Sequence, residues 1–200
     1  MRRLRYGDAG QAFPIYLTVV GGLLFLAFAY FAVGQAAANR NDAQTAADAA
    51  ALAAAQDRRD QLADAWVKNL LDPTKWQEIF GGDAEGLGLS CWRADQLAAQ
   101  NEAVVLGCSQ VGLLAYTVEV QTNDTVGDSV IPNTESMRSK ASAKAVIKAR
   151  CGFEVPGEAA EDDMLPLLIC RGGTKWELDP QDPEQLLPKA ADLFDVHLAD

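Results

Sequence analysis

The chain has 200 residues, 28 acidic against 17 basic, and a formal net charge of −11. Such a field repels phosphate-rich polymers, so nucleic acid is excluded as the natural partner. Its near-average apolar and charged fractions, 49% and 22%, also exclude wholesale disorder.

Charge is divided by region. Residues 1–34 hold three Arg and one Asp, whereas residues 152–200 hold 12 acidic and three basic side chains. Arg2, Arg3 and Arg5 stand ahead of FPIYLTVVGGLLFLAFAYFAVG (13–34), which has no charge. At 1.5 Å per residue this run is roughly 33 Å long, enough to cross a bilayer core. Pro14 falls in its first turn, where a missing N–H costs little. The three arginines orient the N-terminus to the cytoplasm and the remainder outward. A cleaved secretory signal is the competing reading, but its apolar run is typically 7–15 residues.

From Gln35 to Leu71 there is no Pro or Gly, and alanine dominates to Ala65. This predicts a single helix that leaves the membrane without a break and ends at Leu71-Asp72-Pro73. Ala43, Ala46, Ala47, Ala50 and Ala54 recur close to helical spacing and predict a smooth face. That face either admits another helix or packs on the chain's own domain.

Residues 72–93 hold Pro73 and several glycines and read as a connector with a short turn around Trp76–Phe80. ADQLAAQN (94–101) predicts a helix, AVVLGCSQ (103–110) a strand, and LAYTVEVQT (114–122) a strand with Tyr116, Val118, Val120 and Thr122 on one face. KASAKAVIKARC (140–151) alternates most cleanly: small apolar residues at odd positions, Lys140, Lys144, Lys148 and Arg150 at even ones. This is the pattern of a half-buried antiparallel strand, and its basic face reads as solvated and facing the acidic tail. In the C-terminal extension, Leu186, Leu187, Ala190, Leu193, Phe194 and His197 predict one face of a final helix capped by Asp179 or Asp182.

The expected architecture is therefore α+β: a basic stub (1–12), a transmembrane helix (13–34), an Ala-rich helix (35–71), a connector (72–93), a small head (94–151) with an antiparallel sheet of about three strands, and an acidic extension (152–200). Cys91, Cys108, Cys151 and Cys170 all fall in the outer portion, where oxidation favours disulfides. Three pairings are open; joining neighbours, Cys91–Cys108 and Cys151–Cys170, closes loops of similar length. A metal site would require C-x-x-C or nearby His, and neither is present.

Nothing points to catalysis. His197 is the only histidine; no G-x-S-x-G, Walker A, H-E-x-x-H or G-x-G-x-x-G motif occurs. Glu161-Asp162-Asp163 lacks the ligand spacing of a calcium loop. No enzyme activity, cofactor or small-molecule substrate is expected.

QTAADAAALAAA (44–55), directly after one N-terminal span, resembles the TadE/TadG-like proteins of tight-adherence (Flp, type IVc) pilus assembly. Gly10-Gln-Ala-Phe-Pro14 is similar to the TadG-type membrane entrance, and residues 94–122 loosely resemble the helix-then-strand stretch of TadE-like members. The resemblance implies a pseudopilin-like, single-pass envelope protein whose partners are the lipid bilayer and other pilus or secretion-system membrane proteins or pilins. Prepilins carry Glu at the fifth mature position; after Gly10 this chain has Ile15, and after Gly7, Ala12, so membrane-retained TadG-like relatives fit better. Physical reading and resemblance together make Gly21, Gly22, Ala46, Ala47 and Ala50 candidate packing positions between helices. The alternative is a membrane-tethered extracytoplasmic binding or adaptor protein unrelated to pili.

Overall fold

The computed structural model describes residues 12–125, 136–154, 165–179, 181 and 187–199. Helix α1 (Ala12–Lys68) runs 57 residues without interruption, which at 1.5 Å per residue is about 85 Å. Its lower part, through the apolar run, has no buried residue among those described. Its upper part is the axis of the head.

A 3-10 turn (Pro73–Lys75) and α2 (Trp76–Phe80) follow, then α3 (Cys91–Gln100), β1 (Ala103–Gln110), β2 (Ala115–Thr122), β3 (Lys140–Ala149), β4 (Cys151–Phe153), β5 (Leu168–Cys170), β6 (Lys175–Trp176), α4 (Ala190–Leu193) and β7 (Phe194–Leu198). The main sheet has the order β1-β2-β3-β7 and is antiparallel throughout. A second, smaller sheet, β4-β5-β6, continues from the end of β3.

Alternation dictates the faces. Tyr116, Val118 and Val120 of β2 and Ala143, Ala145 and Ile147 of β3 are buried, while Lys140, Lys144 and Lys148 are exposed. Helix α1 lies on the buried face, against β2, β3 and β7, with α3 alongside it over β1. Being enclosed by the sheet on one side and α3 on another explains the alanine. Ala46, Ala47, Ala50, Ala51, Ala54 and Ala55 are all fully buried, more than one helical face can supply. Only a methyl group fits a helix approached this closely from two directions.

Further along α1, beyond the alanines, the core side chains enlarge. Leu62, Trp66 and Leu70 replace alanine, and aromatic rings fill the gap. Trp66 meets Trp76 at 5.4 Å, Trp76 meets Phe153 at 5.3 Å, and Phe80 meets Phe153 at 5.8 Å and Phe194 at 5.2 Å. The geometries are edge-on or tilted, as ring quadrupoles favour. This cluster unites α1, α2, β4 and β7, so residues 72–93 do more than connect: Trp76, Ile79 and Phe80 are core.

The C-terminus departs from expectation. Only Ala190–Leu193 are helical, and Phe194–Leu198 form the fourth strand of the main sheet. Phe194, Val196 and Leu198 face Ala149, Ile147 and Ala145, with Asp195 and His197 on the opposite side. Pairing with β3 satisfies backbone groups that a short terminal helix would leave to water, and it buries Phe194 fully, so tertiary contact overrides the helical spacing. Asp179 closes a turn by accepting a bond from Gln181 N at 2.8 Å, and the short helix is instead capped by Asp192, which accepts from Lys189 N at 2.9 Å. Asp182 and Leu186 lie outside the described residues, as do Glu161, Asp162 and Asp163.

Candidate functional site

The surface that distinguishes this molecule is the boundary between a bare helix and a helix wrapped in protein. Among the described residues none from Phe13 through Gly34 is buried, and Pro14, Gly21 and Gly22 lie within this bare stretch. A Cβ built on Gly21 or Gly22 meets no atom within 4 Å. An apolar cylinder of this length without protein cover requires lipid or other apolar helices around it.

Burial begins at Asn39. Its Nδ2 donates to the carbonyls of Asp124 and Thr125, both at 3.4 Å. Its Oδ1 accepts from Ser139 N at 3.2 Å and from Thr122 Oγ1 at 3.4 Å. One amide therefore fastens the helix to the end of β2 and the approach to β3. Beside it lies an open recess of about 270 Å³ lined by polar groups including Asp42, Gln100, Glu102 and Asp124. Among the described residues no group of three or more His, Cys, Asp or Glu is placed to hold a metal ion.

Ala46, Ala47 and Ala50 sit above Asn39 and do pack, but on the chain's own head. All three have no exposed surface. Of the two partners the sequence left open for this face, another helix or the chain's own domain, the structure describes the second, with the sheet and α3 enclosing it. Further along, Arg58 is buried, with Nη2 donating to Gly82 O at 3.1 Å and Nε finding no partner among the described residues. Gln61 ties the same loop by accepting from Gly88 N at 2.8 Å and donating to Ser90 Oγ at 3.2 Å.

The four cysteines form two disulfides. Cys91–Cys108 joins the start of α3 to β1, and Cys151–Cys170 joins directly opposed residues of β4 and β5. His197 is on β7, with Nδ1 3.0 Å from Asp195 Oδ2. Arg2, Arg3 and Arg5 precede the described residues.

Asn39 and Arg58 were not singled out by sequence, since a polar residue in a helix signals burial only through its partners. The strand at the C-terminus did leave a signal, the alternation Phe194, Val196, Leu198.

The bare span and the alanine axis are thus one structural unit, and it is over this unit that the chain is similar to a known family. Residues 10–57 match the model of the family described as putative Flp pilus-assembly TadE/G-like. Over this segment, about a quarter of its length, the chain is similar to the TadE/G-like pilus-assembly proteins. The match begins just before the span and ends at Asp57, two residues past Ala55, the last alanine of α1 with no exposed surface. The TadE/G-like segment thus includes the whole bare helix and the part of the axis enclosed most tightly. No curated protein and no solved structure matches the chain.

Proposed function

We propose that this protein is a membrane-anchored, pseudopilin-like component of a Tad-type (Flp) pilus or secretion machine. In this reading the N-terminus is cytoplasmic, the head is extracytoplasmic, and the chain works by association rather than by catalysis. The observation that carries it is the coincidence of the TadE/G-like match with an apolar helix that is wholly uncovered by its own protein. Uncovered apolar surface of this extent marks a membrane or interaction site. The three N-terminal arginines support the orientation, and two disulfides suit an oxidising outer compartment.

Its contacts with other pilus or secretion-system membrane proteins run through the bare span, because the alanines above it are occupied. Gly21 and Gly22 are the positions where another helix backbone can come closest.

The test is to shear surface appendages from native cells and measure the intact, non-reduced mass of this chain in the sheared and membrane fractions. Chain in both fractions, or in the sheared one shortened at Gly7 or Gly10, supports a filament subunit. Full-length chain confined to the membrane supports an assembly factor. Its presence in cells that lack a secretion ATPase and its membrane platform would instead favour a tethered adaptor unrelated to pili.

A further inference from the structure

Four strands that alternate in direction leave two edges of opposite polarity. In the order β1-β2-β3-β7, β1 and β7 are those edges, and among the described residues neither is paired on its outer side. Edge strands are commonly guarded by charge. Here the whole hairpin from Ala103 to Tyr116 is uncharged, in a chain of net charge −11. It exposes Val104, Leu106, Val111 and Leu113, each between 44% and 47%. A bulge interrupts β1 between Val105 and Gly107, but Gly107–Gln110 beyond it is regular. The Cys91–Cys108 disulfide holds that regular stretch against α3, so the edge is a fixed template.

The directions of the strands follow from their ties to α1. The start of β1 lies level with Asn39, since Glu102 shares a recess with it. The hairpin tip lies level with Arg58: Leu113 and Leu114 crowd Gly82, whose carbonyl binds Arg58. Thus β1 and β3 run with α1, away from the span, and β2 and β7 run back toward it. Copies anchored in one membrane share the direction of α1. Between such copies a β1–β1 or β7–β7 contact would be parallel, while β1 against β7 is antiparallel, the better-bonded arrangement.

We propose that heads of neighbouring copies join edge to edge, β1 of one copy pairing with β7 of the next, so that the main sheet extends laterally above the bilayer. The occupant of the β1 edge is a second copy of this chain. Two acidic heads meet with least repulsion at the one long stretch that carries no charge. The contact is head-to-tail and open, so it propagates instead of closing as a pair. It rests on the reading that α1 is the membrane anchor.

The experiment uses the full-length chain in proteoliposomes with a photo-crosslinking residue at Ser109. The expected products are dimers, trimers and higher species, with Ser109 joined to residues 194–198 of another copy. Leu106→Lys and, independently, Ser109→Lys (in chain labelled at Gly107 instead) should each lower the multimers at least tenfold while leaving both disulfides formed and the circular dichroism unchanged. A product that stops at dimers joined Ser109 to Ser109, or chain retained after an alkaline wash without any crosslink to 194–198, overturns the edge pairing alone. Release of the chain by the alkaline wash overturns the anchor reading and the pairing with it.

Discussion

Asn39 Oδ1 accepts a hydrogen bond from Ser139 N at 3.2 Å, across 100 residues of chain, at the level where the bare helix becomes a covered one. The same side chain donates to two carbonyls on the far side of the β2 end. Among the described residues it is the first side chain of α1 that bonds to the sheet, so it couples the sheet to the helix below it.

Asn39→Ala should destabilise the head by about 0.5–1.5 kcal/mol, because Thr125 O loses its side-chain donor to water, Asp124 O keeps Thr122 Oγ1, and Ser139 N is left with Thr122 Oγ1 alone. Asn39→Asp keeps the acceptor for Ser139 N but sets a carboxylate against the Asp124 and Thr125 carbonyls in a recess lined by Asp42, Glu102 and Asp124, so it should cost more than alanine. Denaturant unfolding of the full chain in detergent gives the order, and amide exchange at Ser139 should quicken in both.

Ala50→Leu tests where the alanine face is used. Ala50 is fully buried between the sheet and α3, so three extra carbons overpack the site at about 1–3 kcal/mol or more. Pairing it with Ala46→Leu should be worse. Thermal melting and protease resistance of the head provide the check; a head as stable as the parent's would show that these alanines do not bear intramolecular packing.

Gly22→Leu should do the opposite. With nothing within 4 Å of an added Cβ and no buried residue in the apolar run around it, the head's melting temperature should stay within error. Any change should appear only in association of the span, read by crosslinking in the membrane.

Arg58 separates charge from packing. Its guanidinium is buried with one carbonyl partner and no carboxylate within ion-pair distance among the described residues. Arg58→Met keeps the stem and sheds the uncompensated charge, so stability should hold or rise. Arg58→Ala also empties the space and should cost about 2–4 kcal/mol. Urea midpoints of the two variants decide it, and a large loss in Arg58→Met would mean the charge itself is needed.

The disulfides close sequence separations of 17 and 19 residues. On loop entropy each should contribute about 3 kcal/mol. Replacing either pair with alanine should lower the unfolding free energy by that order, and thiol labelling before reduction should modify none of the four.

Much of this architecture follows from the sequence alone, because periodicity and composition are local. The uncharged run fixed the span, the absence of Pro and Gly from 35 to 71 fixed one continuous helix, and two-residue alternation fixed the inward faces of β2 and β3. The acidic, histidine-poor composition and the TadE/G-like run were also legible without coordinates. What only the tertiary structure decided depends on which surfaces meet. Ala46 and Ala50 have a smooth face whether the neighbour is another chain or their own sheet, and contact alone assigns the sheet. Phe194 and His197 satisfy a helical spacing and a strand alternation together, and the open edge of β3 settles the matter by offering backbone partners. Asn39 and Arg58 acquire their meaning from carbonyls more than 80 and 20 residues away, a distance at which no local pattern operates.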